Sequence, residues 1–268
     1  MADATGTFGD AQVKNPDAVQ QSLLGGWHWL EKHAKLVAAL IGVLALFAIA
    51  WVIYNWYEGR QERKAQDDYY AIESKFTKIK DGFEQARFQA MLPQLKDQKE
   101  KAQPATGDLA KDFGTLVTDL ETFARSHAGT TAGAQAALLA AETYIEYKQP
   151  EKAIEIAQVP IKGLGDRHLI SNLARVVWGN ALVAKGSCQE AVGVWQKVLD
   201  TKAVSFLHPD TSLRSGICFE EMNQPDKAAE MYRKVTTESA DSAAASTAKG
   251  LLRALELKKA TGAAPAKS

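Results

Sequence analysis

The chain has 268 residues, in which 32 lysines and arginines balance 32 aspartates and glutamates. This neutral balance, with no basic patch interleaved with aromatic residues, argues against nucleic-acid binding. The two cysteines, Cys188 and Cys218, predict neither a disulfide framework nor a metal site, since neither has a Cys or His at ligand spacing. They do not indicate whether the protein lies in an oxidising or a reducing compartment.

The chain opens with a tail, residues 1–34, that shows no sustained apolar period and is predicted to be largely disordered. The next segment, 35–57, is a predicted transmembrane helix, because no charged residue stands between Lys35 and Glu58. Residues 36–57 would form a helix of about 33 Å, enough to cross a hydrocarbon core of about 30 Å. We therefore expect them to lie in a lipid bilayer. Aromatic side chains typical of membrane interfaces flank the run: Trp27, Trp29, Trp51, Tyr54, Trp56 and Tyr57.

A cleaved signal peptide is the alternative interpretation of this run, because Ala48-Ile49-Ala50 has the small-x-small form of a cleavage site. About 35 residues precede the run, more than the usual positively charged start of a signal peptide, and the apolar character continues past that site to the aromatic cluster. Both features favour an uncleaved anchor.

Flanking charges leave the orientation of this anchor open. Basic residues within reach of the run are Lys32 and Lys35 before it, and Arg60, Arg63, Lys64 and Lys75 after it. The positive-inside rule then leans towards a cytoplasmic C-terminal domain, but it is unreliable for large translocated domains.

Residues 58–106 are predicted to form a helical stalk. Apolar residues recur at three and four residue spacing at Tyr69, Ile72, Phe76 and Ile79, and Pro93 predicts a kink further on. The first three of these residues could also pair two copies of the chain into a homo-oligomer at the membrane.

Residues 107–257 are predicted to form a tetratricopeptide-repeat (TPR) α-solenoid with a capping helix at each end, followed by a disordered tail, 258–268. Ala153, Ala191 and Ala228 recur 38 and 37 residues apart. Twelve residues before each alanine stands a small residue, and nine residues before it stands a large one. Closely packed helix pairs require this spacing. The fold class is therefore all-α: one transmembrane helix, a stalk and a TPR array.

The second helix of each repeat is predicted to begin at Pro150, Cys188 and Pro225, because the first helical position needs no backbone N–H. Ser187 and Glu190 have the spacing of a capping box at the second of these starts.

No phosphate loop, zinc spacing or nucleophile elbow is present in the sequence, so no enzymatic activity, cofactor or metal is expected. Cys188 is the remaining candidate for chemistry, since a helix N-terminus lowers the pKa of a thiol, but the sequence shows no resolving partner for it.

A partner-binding groove is predicted instead, along the first helices of the repeats. Such a groove would bind a peptide or a partner helix through an apolar floor and a few polar contacts. Its predicted residues are Leu138, Glu142, Ile145, Val176, Asn180, Val183, Leu213 and Glu220. The alternative, given equal weight, is that the apolar members contact the stalk or one of the two capping helices, the first of which resembles half a repeat.

The order of tail, span, stalk and repeats opening with "GAQAALLAAETYIEYKQPEKAIEIA" resembles the YfgM-type ancillary subunits of the bacterial Sec translocon. The resemblance implies a single-pass inner-membrane protein with a cytoplasmic N-terminus and a periplasmic TPR domain. It also implies a non-enzymatic scaffold whose partners are translocon subunits, periplasmic chaperones or exported chains. A TPR assembly factor of another membrane system, such as cytochrome c maturation, is the alternative, and a catalytic thiol protein using Cys188 is a third.

Overall fold

The computed structural model describes residues 32–91 and 103–261, which contain helices and no strand. The predictions of a disordered tail before residue 32, of a kink at Pro93 and of the last residues of the C-terminal tail lie outside these ranges. The helices, in chain order, are α1 (Ala34–Met91), α2 (Leu109–Phe113), α3 (Leu116–Ser126), α4 (Thr131–Glu146), α5 (Pro150–Ala157), α6 (Val159–Leu164), α7 (Leu169–Ala184), α8 (Cys188–Leu199), α9 (His208–Glu221), α10 (Pro225–Glu238) and α11 (Ala243–Thr261). A 3-10 helix, Lys202–Leu207, precedes α9.

The chain divides into two compact units, Met1–Gly59 and Arg60–Ser268. In the first unit, the apolar part of α1 leaves its large side chains exposed, Phe47 at 75% and Trp51 at 66%. This part is long and apolar enough to cross a membrane. Exposing such an apolar surface to water is unfavourable, so the exposure is consistent with a segment that contacts lipid.

In the second unit, residues 60–91 of α1 contribute to the core of the repeat domain. Tyr69 and Phe76 are 4% and 2% exposed. The Phe76 ring stacks on Phe113 of α2 with 4.6 Å between centroids, and Tyr69 lies beside Phe123 of α3. Large aromatic side chains dominate the apolar area that such a core removes from water.

The predicted helical stalk, 58–106, includes these residues of α1. The sequence correctly places Tyr69, Ile72, Phe76 and Ile79 on one helical face, but that face packs against the cluster around Phe113. Because Tyr69 and Phe76 are already buried within one chain, they are not free to pair two copies.

Three helix hairpins, α4–α5, α7–α8 and α9–α10, follow one another along the chain. The predicted alanines Ala153, Ala191 and Ala228 are each fully buried. A methyl group at Gly179 would overlap the Trp195 indole, and one at Gly216 would overlap the Tyr232 ring. The small residues are therefore required because an aromatic ring from the second helix lies directly on the first.

The turns of the three hairpins share one backbone conformation. Lys148, Gly186 and Asn223 have positive φ values of 56°, 84° and 57°. They are separated by the same 38 and 37 residues as the alanines. Gly and Asn tolerate this left-handed region, whereas Lys148 is strained there.

The second helices begin at Pro150, Cys188 and Pro225, as predicted. The predicted capping box is wrong, because the Ser187 side chain makes no capping hydrogen bond. The Ser187 N–H instead donates to the Leu182 carbonyl at 2.8 Å, and the Ser187 carbonyl accepts the N–H groups of Glu190 and Ala191, each at 3.1 Å.

Extra turns between hairpins account for repeats longer than the usual 34 residues. Helix α6 stands between the first and second hairpins, and the 3-10 helix Lys202–Leu207 stands between the second and third. Beyond the third hairpin, α11 buries Ala244, Ala248 and Leu255 against α10. Helix α11 runs to Thr261, past the predicted start of the tail at residue 258.

Candidate interaction groove

The predicted groove residues lie on the first helices of the three hairpins. On α4 and α7 they are spaced by four and then three residues, which places each set along one helical face. Four of them line a single cavity of about 460 Å³. We call this cavity the groove, and its lining residues are Glu142, Ile145, Asn180, Val183, Ala184, Trp195, Arg214, Ile217 and Cys218.

The other four predicted residues do not line the groove. Leu138 packs against the core that includes α1, and Leu213 packs against the cluster under α11. The backbone carbonyl of Val176 accepts a hydrogen bond from Trp195 Nε1 at 3.2 Å. The Glu220 carboxylate accepts the Tyr232 hydroxyl at 2.7 Å. The packing of Leu138 and Leu213 corresponds to the alternative in which apolar members contact other parts of the domain.

Sequence reasoning missed Arg214 and Ile217, which the groove contains. Ile217 occupies the position in α9 that Asn180 occupies in α7 and Glu142 in α4, at the same 37 and 38 residue offsets. Extending the repeat register to the third hairpin would have found it. No comparable signal marks Arg214.

Asn180 gives the groove a hydrogen-bonding group in its wall. Its side-chain oxygen Oδ1 is buried and has no hydrogen-bond partner within residues 32–91 and 103–261. A buried polar atom without a partner costs free energy. An N–H of a bound chain could satisfy it after rotation of the amide.

Glu142 supplies a carboxylate at the edge of the groove. Burial by surrounding atoms raises its pKa, and the nearby positive charge of Lys80 works in the opposite direction. Lys80 itself forms an ion pair with Glu146 at 2.9 Å. The groove thus combines an acidic group and an amide with Arg214, between walls that are otherwise apolar.

Cys218 in the groove wall is joined to Cys188 by a disulfide, with 5.2 Å between the Cα atoms. This corrects the prediction that the cysteines lack partners. The two residues stand 30 positions apart, so only the stacking of the second hairpin on the third brings them together. Because Cys188 is held in this crosslink, it is not available as a free catalytic thiol.

No protein-family model matches the chain, and no curated protein matches it in sequence. Two solved structures with the titles "Crystal structure of MamA" and "Crystal structure of MamA protein" are similar to it, each at 20% identity and a TM-score of 0.41. The first match covers 59% of this chain and 99% of that one, and the second covers 60% and 94%.

Proposed function

We propose that this chain is a non-enzymatic scaffold, anchored in a membrane through residues 36–57, whose groove binds a segment of a partner protein. The observation that carries the proposal is that four predicted groove residues from two hairpins line one cavity of about 460 Å³. That volume is within the range of about 300 to 1,000 Å³ found for ligand sites and accommodates a few side chains.

The chemistry of the lining supports a polypeptide as the occupant. Ile145, Val183 and Ile217 offer apolar contact, and the unpaired oxygen of Asn180 can accept a backbone N–H. Glu142 and Arg214 add charges of opposite sign, which fix the direction of a bound chain more than its affinity.

We propose more specifically that the chain is a single-pass protein of the bacterial inner membrane, with a cytoplasmic N-terminus and TPR-like repeats in the periplasm. Its partners would be Sec translocon subunits, periplasmic chaperones or exported chains, as the resemblance to the YfgM-type family implies. The Cys188–Cys218 disulfide supports the periplasmic side, because disulfides persist in oxidising compartments and are rare in the cytosol.

Site-specific photocrosslinking in intact cells tests the groove. A photoreactive amino acid at Val183 should crosslink to a partner, whereas one at the exposed Glu230 on α10 should not. Adding Asn180→Ala should reduce the Val183 adduct. An adduct of equal yield from both positions would contradict a groove-specific partner.

The identity of the crosslinked protein separates the finer alternatives. Translocon subunits or chaperones support the role at the Sec machinery, and haem-lyase subunits support the assembly factor of cytochrome c maturation. Orientation is tested separately by adding protease to spheroplasts with an epitope after Ser268. Digestion supports a periplasmic repeat domain, and protection with an intact cytoplasmic marker contradicts it.

A further inference from the structure

Three side chains of metal-ligating type meet where α8 begins and α9 ends. The sulfurs of Cys188 and Cys218 and a carboxylate oxygen of Glu221 lie within 4.8 Å of one another. Cys218 and Glu221 are three residues apart on α9 and so share a face of that helix. Cys188, the first residue of α8, approaches them from the preceding hairpin.

The position of Glu221 is not explained by the disulfide. Its oxygen Oε2 is 3.0 Å from Cys188 Sγ. A disulfide sulfur carries no proton, so it cannot donate a hydrogen bond to the carboxylate. Glu221 is exposed and could instead turn to water. A carboxylate beside this sulfur gains an attractive partner only when the sulfur is a thiol or when a cation lies between them.

Two thiolates and one carboxylate are a ligand set that Zn²⁺ and related thiophilic cations favour. At Zn–S distances of about 2.3 Å, the two sulfurs of a tetrahedral site are about 3.8 Å apart. Side-chain rotation can provide that separation from Cα atoms 5.2 Å apart. A water molecule can complete the site from an adjoining cleft of about 400 Å³, whose lining includes Ser187, Glu190 and Glu221.

We propose that Cys188, Cys218 and Glu221 bind one thiophilic divalent cation of the Zn²⁺ class when the cysteine pair is reduced. Reduction adds two electrons and two protons to the S–S bond, and a phosphine reductant leaves as the phosphine oxide with the oxygen of one water. Cation binding then releases the two thiol protons. The disulfide and the bound cation are alternative crosslinks between the same two helices.

Spacing along the sequence does not indicate this site. The three ligands come from two neighbouring hairpins, and the fold supplies the proximity that the spacing does not.

Cadmium titration of the full chain in detergent micelles tests the proposal. The protein is reduced with a water-soluble phosphine, freed of reductant under inert gas and titrated with Cd²⁺, which reports thiolate binding by its sulfur-to-metal charge-transfer absorption. We expect the band to saturate at one Cd²⁺ per reduced chain and to be absent from the oxidised chain. No saturable band in the reduced chain, or the same band in the oxidised chain, would overturn the proposal.

Matched carboxylate variants test the third ligand without disturbing the core. Glu221→Gln should weaken Cd²⁺ binding by about tenfold or more. Mutation of residues that only hydrogen-bond to a metal ligand already lowers metal affinity by about this factor. Glu190→Gln removes a charge from the same cleft and should leave the affinity unchanged. Equal losses in both variants would show that general charge, not ligation by Glu221, attracts the cation. Cys218→Ser should abolish the band, and its persistence there would refute the site.

Discussion

The Glu62 carboxylate accepts the backbone N–H of Thr131 at 2.9 Å, across 69 residues of sequence. Its second oxygen accepts the N–H of Ala132 at 3.2 Å. The first N–H groups of a helix lack partners within the helix, and a negative charge there is favourable. At the other end of α4, Glu146 pairs with Lys80. Residues 62–80 of α1 therefore run parallel to the first helix of the first hairpin.

Glu62→Ala should lower the free energy of unfolding by about 1 kcal/mol, since it removes two hydrogen bonds at the start of α4. Urea unfolding of the full chain in detergent, followed by circular dichroism, measures this change. The control is Glu84→Ala, which removes an exposed glutamate from the same helix. Equal stability of the two variants would mean that the Glu62 contact contributes nothing.

Gly179→Ala should destabilise the second hairpin by about 1 to 3 kcal/mol, the usual cost of overpacking. The added methyl group would overlap the Trp195 indole. Gly193→Ala is the matched control, because nothing lies within 4 Å of its added methyl and it stands inside α8. It should stabilise by about 1 kcal/mol through helix propensity. Thermal unfolding of both variants checks the opposite signs.

Lys148→Gly should stabilise the chain by about 1 kcal/mol, because glycine relieves the left-handed strain at φ 56°. Lys185→Gly is the control, since Lys185 has a right-handed backbone with φ −80°. It should be neutral or destabilising. Chemical unfolding of both variants measures the difference, and a similar response would contradict the argument from backbone strain.

Asp112→Asn should destabilise the chain at neutral pH, and the effect should shrink as the pH falls from about 4 towards 2. Burial raises the pKa of Asp112, but hydrogen bonds from Tyr147, Thr106 and Gly107 outweigh it and lower the pKa from 3.8 to about 2. Because the folded pKa lies below the unfolded one, this stabilisation is complete well above pH 4, declines below it and is lost as the pH falls through about 2.

Unfolding of this variant and the parent between pH 2 and 7 measures the effect. Asp81→Asn, an exposed change on α1, is the control and should show no such pH dependence. A difference that stays constant down to pH 2 would exclude the ionised carboxylate as its source.

The hairpins were predictable because local chemistry specifies them. Pro150 and Pro225 mark helix starts, and the Gly179 and Gly216 positions mark close approach between helices. Helix α6 and the 3-10 turn were not predicted, since neither is long enough to show a hydrophobic period.

Contacts between repeats were harder to derive. The sequence identifies the apolar face of Tyr69 and Phe76, but an apolar face does not specify which surface covers it. The same limit applies to Cys188 and Cys218, which become neighbours only when one hairpin stacks on the next. For the same reason, Leu138 and Leu213 were assigned to the groove although they pack against neighbouring parts of the domain.

The Cys188–Cys218 bond also affects how the array can come apart. Each hairpin of a repeat protein contacts only its neighbours, so unravelling begins at a free end and moves inward one helix at a time. A pull on the C-terminus could unfold α11 and α10, but once it reaches Cys218 the covalent link transfers the force to Cys188 at the start of α8. In the oxidised chain, a pull from that end would therefore pass through the disulfide to Cys188, and residues 189–217 would not contribute to the extension.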